Sequence, residues 1–210
     1  LIIIDVGSSD GSFTKNLSKK LYNSIFFCFE PLDFLHKRFK PYNQNKIKTY
    51  RYACSSKSGL TKVYTPYRIF FGFKLYLKFF SSINKNFIKK NIQQYLNKDD
   101  LFFRYISTLV KLRKLDEFKL KPSILKIDVE GYEDDVLKGA TRTILKYLPL
   151  IIVENPTTYF DNTLRDLGYI KYQYNSKLKK LSPIIKNNKN SYNYIFINKN
   201  KKKLLSKNIF

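Results

Sequence analysis

Short apolar runs and amphipathic stretches succeed one another along the chain in the order of strands and helices. Residues 1–4 (Leu-Ile-Ile-Ile) are apolar at every position rather than at every second one, which predicts a strand covered by helices on both faces. In the turn that follows, Gly7 and Gly11 permit a tight reversal and a close backbone approach to a ligand, and Ser9 or Asp10 caps the next helix. Phe13, Leu17 and Leu21 recur at helical spacing. A second apolar run at 24–29 ends in Glu30-Pro31, where proline stops the strand. Residues 48–54 alternate and predict a third strand closing in Ala53-Cys54-Ser55, and 60–65 predict another short one. Further strands are expected at 105–110 and 123–127, with a short helical link at 115–118 between them. A helix carrying Val136, Leu137, Ala140, Ile144 and Leu148 comes next, then a strand at 150–153 ending in Glu154-Asn155-Pro156. A helix to Leu167 stops at Gly168, and strands at 169–174 and 192–198, with no helix between them, predict an antiparallel pair. This alternation argues for one doubly wound α/β domain over 1–198 with a largely parallel sheet.

Residues 66–100 break the pattern. Phe70, Phe71, Phe73, Tyr76, Phe79 and Phe80 crowd among Arg68, Lys74 and Lys78, and no acidic residue occurs from 34 to 98. Two readings compete: an inserted aromatic and basic cap over a substrate pocket, or a segment in peripheral contact with an anionic membrane. The spacing fits a strand as well as a helix.

Composition changes the picture in three ways. The formal charge of +24 fits a polyanion ligand, but Lys, scattered along the chain, dominates over Arg, and its company of Asn, Ile, Phe and Tyr is the usage of an AT-rich genome. Cys28 and Cys54 fall in apolar strands, which points to buried free thiols in a reducing, cytoplasmic setting rather than to a disulfide or zinc site, and the single His36 lies in a basic helix at 34–39. No apolar run is long enough to span a bilayer. With methionine absent and residue 1 already inside a strand, the chain reads as a piece whose beginning is missing, and 199–210 reads as a basic tail.

The chemistry collects at strand ends. Parallel strands set their carboxyl ends along one rim, so Asp5, Glu30, Asp128 and Glu154 converge from distant parts of the chain. An acid about 20 residues past a glycine turn stands where ribose hydroxyls are accepted.

These segments also carry a resemblance. Asp5-Val-Gly-Ser-Ser-Asp-Gly-Ser-Phe-Thr14, Phe29-Glu-Pro31, Leu125-Lys-Ile-Asp-Val-Glu-Gly-Tyr-Glu133 with Val136-Leu-Lys-Gly-Ala140, and Ile152-Val-Glu154 resemble the FkbM family of S-adenosylmethionine-dependent methyltransferases, in the right order across most of 1–170. The resemblance implies a Rossmann-like, seven-stranded, mostly parallel sheet with a C-terminal antiparallel hairpin, and methyl transfer to a hydroxyl of a sugar, glycan or natural product. It implies that Asp5, Gly7, Ser8 and Gly11 hold the methionine part of S-adenosylmethionine, Glu30 and Pro31 the ribose, and Ala53 and Cys54 the adenine, while Asp128 faces donor and acceptor. Asp128, Glu130 and Glu154 are then the candidate general bases, Asp128 first. No resident metal is expected, the alternative being Mg²⁺ on Asp128, Glu154 and Asn155. Ser8-Ser9-Asp10 departs from the family's Ala-Asn-x, and the aromatic insert is no family signature. Asp128-Val-Glu-Gly is not the Asn/Asp-Pro-Pro-aromatic element of amine methylation, which favours oxygen. Two alternatives differ in kind: a nucleic-acid methyltransferase, motivated by the charge, and a non-catalytic relative that binds polyanions or membrane.

Overall fold

The computed structural model describes residues 1–33, 45–96, 103–175, 180–184 and 193–201. The expected helix around His36 and the tail beyond 201 lie outside them. The chain runs β1 (Ile2–Val6), α1 (Ser12–Ser18), β2 (Ile25–Phe29), β3 (Ile47–Tyr50), β4 (Ala53–Cys54), β5 (Gly59–Phe70) and β6 (Phe73–Tyr76). After a 3-10 turn at Lys78–Phe80 come α2 (Lys85–Leu96), β7 (Arg104–Arg113), a second 3-10 turn at Leu115–Phe118 and β8 (Ile124–Ile127). It closes with α3 (Glu133–Gly139), α4 (Thr141–Tyr147), β9 (Leu150–Glu154), α5 (Thr158–Asp166), β10 (Tyr169–Asn175), β11 (Lys180–Pro183) and β12 (Asn193–Asn198).

A mixed sheet in the order β11-β10-β12-β9-β8-β1-β2-β3 forms the body, so the described residues hold eight strands in it where seven were expected. The neighbours β3, β2, β1, β8 and β9 pair parallel; β12 runs antiparallel to β9, and β10 antiparallel to both β12 and β11. The chain leaves β1 towards β2 and returns to β8 on the other side, so strand order reverses between β1 and β8 and a crevice opens at their carboxyl ends. Register aligns that rim: Val6 stands beside Phe29 and Ile127, and Ile127 beside Val153. Glu30, Asp128 and Glu154 therefore leave the sheet at one level.

The central strands are covered on both faces, which is why β1, β2 and β8 are apolar but for Asp5 and Lys126. Ile4, Val6, Leu125, Ile127, Ile151 and Val153 face Val136, Leu137, Ile144, Phe160 and Leu164 of α3, α4 and α5. Ile3, Phe26 and Cys28 pack on the opposite side with Leu17 of α1. Both cysteines are free and buried.

Three expectations about elements are corrected. The single strand at 48–54 is two, because β3 belongs to the body while β4 joins a second sheet ordered β4-β7-β5-β6. The strand at 60–65 extends to Phe70, since β5 is held by β7 from Gly59 to Tyr67 and by β6 beyond it, partners that local periodicity does not reveal. The helix over 136–148 breaks at Ala140 into α3 and α4. Gly139 sits so close to the β4 end that a Cβ there would lie 1.9 Å from the Ser55 carbonyl oxygen. The described part of the segment, 66–96, thus comprises the end of the β5–β6 hairpin, a 3-10 turn and α2, and the second sheet packs on the body through Leu32, Ala53, Val63, Val110 and Leu112.

Candidate active site

A cavity of about 170 Å³ opens at the crevice between β1 and β8. Its floor is Val6, Gly7, Ser9 and Asp128 to Glu130; Glu30, Pro31 and Leu32 form one wall. Tyr52, Ala53, Cys54 and Val63 make an apolar slot, and Lys78, Phe79 and Ser81 to Ile83 overhang it from the second sheet. Of the residues expected to bind a cofactor, Gly7, Glu30, Pro31, Ala53, Cys54 and Asp128 line this cavity; Asp5, Ser8 and Gly11 do not.

Those three shape the turn instead. Gly7 and Ser8 donate their N–H groups to the Phe29 carbonyl (2.9 and 3.2 Å), and Gly11 donates to the Ser8 carbonyl (2.8 Å). Gly7 has φ 76° and lies against β8: a Cβ there would fall 1.7 Å from the Asp128 carbonyl oxygen. Only glycine meets both conditions. Ahead of α1 the N-cap is Gly11 with φ 76°, rather than Ser9 or Asp10. Asp10 still serves the helix start, its Oδ1 accepting from the Ser12 N–H (3.0 Å) and hydroxyl (2.6 Å).

Glu30 is buried, and its oxygens accept from the N–H groups of Ser9 (3.1 Å) and Leu32 (3.0 Å). Burial, offset in part by these bonds, pushes its pKa up to about 7. Ser9, absent from the expected set, thus ties the β1 turn to the tip of β2.

The second group missed from the sequence is Lys126. Asp5 and Lys126 are register partners on the α1 face, and the buried ammonium lies 3.5 Å from Asp5 Oδ1 and 2.9 Å from Asp128 Oδ2, over the Phe13 ring. Asp5 Oδ2 accepts from the Thr14 hydroxyl (2.7 Å). Burial opposes the charged forms here: it raises Asp5 despite Lys126 and Thr14, while at Lys126 the attraction of Asp5 and Asp128 outweighs it and leaves the ammonium above the ordinary lysine value. A lysine inside the apolar run Ile-Leu-Lys-Ile was the available signal.

Asp128, Glu130 and Glu154 come together, one oxygen of each within 4.8 Å of the others. Glu130 has φ 53° and is held from the second sheet's side: the Ser82 hydroxyl donates to its carbonyl (2.6 Å) and Asn91 of α2 to its carboxylate (3.2 Å). Burial and then the charge of Asp128 push Glu130 up to about 8 and Glu154 up to about 7. Glu133 braces the loop by accepting from the N–H groups of Val129 (3.3 Å) and Gly131 (3.1 Å). The cavity is thus lined by the carboxylates of Glu30, Asp128 and Glu130, beside an apolar slot. That suits a ligand with a positive centre and a flat ring.

The sequence matches the model of the methyltransferase FkbM domain over residues 5–171. In structure the chain is similar to methyltransferase FkbM from Methylobacillus flagellatus KT, at 13% identity and a TM-score of 0.54 over 92% of this chain, and spans 43% of the length of that protein. Precorrin-6y C5,15-methyltransferase from Geobacter metallireducens GS-15 aligns over 94% of this chain and 77% of its own, at 13% identity and a TM-score of 0.45. A search of curated proteins found no match.

Proposed function

Because the chain belongs to the FkbM methyltransferase family, which implies use of S-adenosylmethionine, we propose that it transfers a methyl group from that donor to a hydroxyl of a sugar, glycan or related natural product. The carrying observation is the pairing of an acid at the β2 tip with an apolar slot and with Asp128 and Glu130, all on one cavity at the point where strand order reverses, Glu154 standing beside these two but off the cavity lining. In this reading Glu30 accepts the ribose hydroxyls, the adenine lies along Tyr52, Ala53 and Cys54 beside Pro31, and the Gly7 turn admits the methionine part. Asp5, Ser8 and Gly11 act from behind, by shaping that turn.

When bound, the sulfonium supplies an electrophilic methyl group and a thioether leaving group. The protein's part is to orient the acceptor oxygen in line, exclude water and remove a proton. Positioning alone is worth effective molarities of about 10⁵ M or more, and a general base a further ~10²–10⁴-fold. Asp128 ranks first from the sequence, but its Oδ2 already accepts from the Lys126 ammonium. Glu130 lines the cavity with a pKa near the working range, so it takes the hydroxyl proton here, and Glu154 adjusts its charge. An acceptor hydroxyl methylated at this cavity would give up its proton to Glu130, the thioether being the leaving group.

The Asp128, Glu130 and Glu154 cluster also offers a divalent ion three oxygens. The Lys126 ammonium already stands 2.9 Å from one of those carboxylates, which favours the metal-free reading. Methylation assayed with and without a chelator separates the two; turnover lost on chelation and restored by Mg²⁺ contradicts the base mechanism. Mass spectrometry of glycan and natural-product acceptors after incubation with isotope-labelled S-adenosylmethionine tests the reading as a whole. Label on oxygen supports it, and label on nucleic acid instead overturns the acceptor class. The domain over 1–198, with 66–100 as an inserted cap, belongs to the same proposal.

A further inference from the structure

The β5–β6 hairpin is built unlike the rest of the molecule. Its two-residue loop, Phe71-Gly72, has positive φ at both positions (46° and 78°), the pattern of a type I′ turn, where asparagine, aspartate or glycine normally stands first. A bulky aromatic there is strained, and Phe71 is 85% exposed, so neither the turn nor the core calls for it. The register places Phe70 opposite Phe73 and Arg68 opposite Leu75 on one face, with Ile69 opposite Lys74 on the other. Phe70, Phe73 and Leu75 are 66%, 79% and 57% exposed, and Ile69 is half exposed. Apolar side chains therefore leave both faces and the tip, in a hairpin at the open edge of its sheet.

Its charge is one-sided. Arg68 and Lys74 lie along it and Lys78 follows it, and from residue 34 to 98 the chain has no acid. Aromatic residues at a tip, cations behind them and no carboxylate in the same stretch of chain are complementary to an anionic bilayer, where rings enter the acyl boundary and cations meet headgroups. Lys78 and Phe79, directly after β6, also overhang the cavity. We infer that the β5–β6 hairpin seats this protein on an anionic phospholipid bilayer, with the Phe71 tip inserted and the cavity mouth held at headgroup level. An acceptor anchored in that bilayer then reaches the cavity without leaving the membrane.

Vesicle co-sedimentation of the whole chain tests this, using phosphatidylglycerol/phosphatidylcholine vesicles against pure phosphatidylcholine. Binding is expected to the anionic vesicles only and to weaken as salt rises. The double variant Phe71→Ser/Phe73→Ser should bind about tenfold more weakly or worse, with its melting curve unchanged because both side chains are exposed. Lys74→Glu, a second variant remote from the core, should lower the salt-dependent part alone. Absence of wild-type binding, equal binding to neutral vesicles, or unaltered binding by the double variant overturns the inference. So does light scattering that shows the hairpin burying itself in a dimer, or RNA affinity that the same double variant abolishes.

Discussion

Lys126 shows most clearly how single residues set the chemistry. One buried ammonium serves Asp5 behind the turn and Asp128 at the rim, so replacing it by an apolar chain of similar length strands two carboxylates at once. Lys126→Met should cost about 3–5 kcal/mol, the range for breaking a buried pair, measured as a lower urea midpoint; an unchanged midpoint contradicts the linkage. Gly7 and Gly72 form a controlled comparison, since both have positive φ but only Gly7 faces backbone. Gly7→Ala should cost about 3 kcal/mol or more, whereas Gly72→Ala should cost about 1 kcal/mol, the backbone strain alone. Some of this was open to sequence reading. Asp128 and Glu30 stood at strand ends and announced themselves by position. Lys126 stood in plain sight within an apolar run, but its meaning required a partner on a neighbouring strand, far away along the chain. Ser9 was unreadable for a related reason: it contributes a backbone amide, which any residue has.

The elements were legible where their pattern was local. β1, β2 and β8 are largely buried on both faces, and runs that are apolar but for Asp5 and Lys126 say so. The second sheet was not legible, because β5 takes its length from pairing with β7 and β6, and the Ala53–Cys54 pair changes sheets within four residues of β3. The break between α3 and α4 was hidden because apolar spacing continues across it, while the close packing of Gly139 on Ser55 beside it is tertiary. Gly139→Ala tests that contact. Helix propensity predicts a gain of about 1 kcal/mol; the 1.9 Å approach predicts a net loss, read as a lower melting temperature. A rise would mean that the contact yields easily.

For the molecule as a whole, the carboxylate rim links stability to pH. Glu30, Glu130 and Glu154 have folded pKa values raised to about 7, 8 and 7, above those of the unfolded chain. Below about pH 4.5 they are protonated in both states and cost nothing. Between about 4.5 and 8 the unfolded chain ionises first, so the ligand-free fold loses stability as pH rises. The melting temperature should fall by several degrees from pH 5 to pH 8, and Glu130→Gln should flatten that slope. A ligand with a positive centre should recover part of the loss and release protons on binding near pH 7.

Calorimetric titration of the wild-type chain with S-adenosylmethionine, beside Glu30→Ala, is the sharpest test of the proposal that this cavity holds that donor with its ribose on Glu30. One site is expected in the wild type, with affinity at least about tenfold weaker in the variant. No binding by the wild type, or equal affinity in the two, would contradict the proposal.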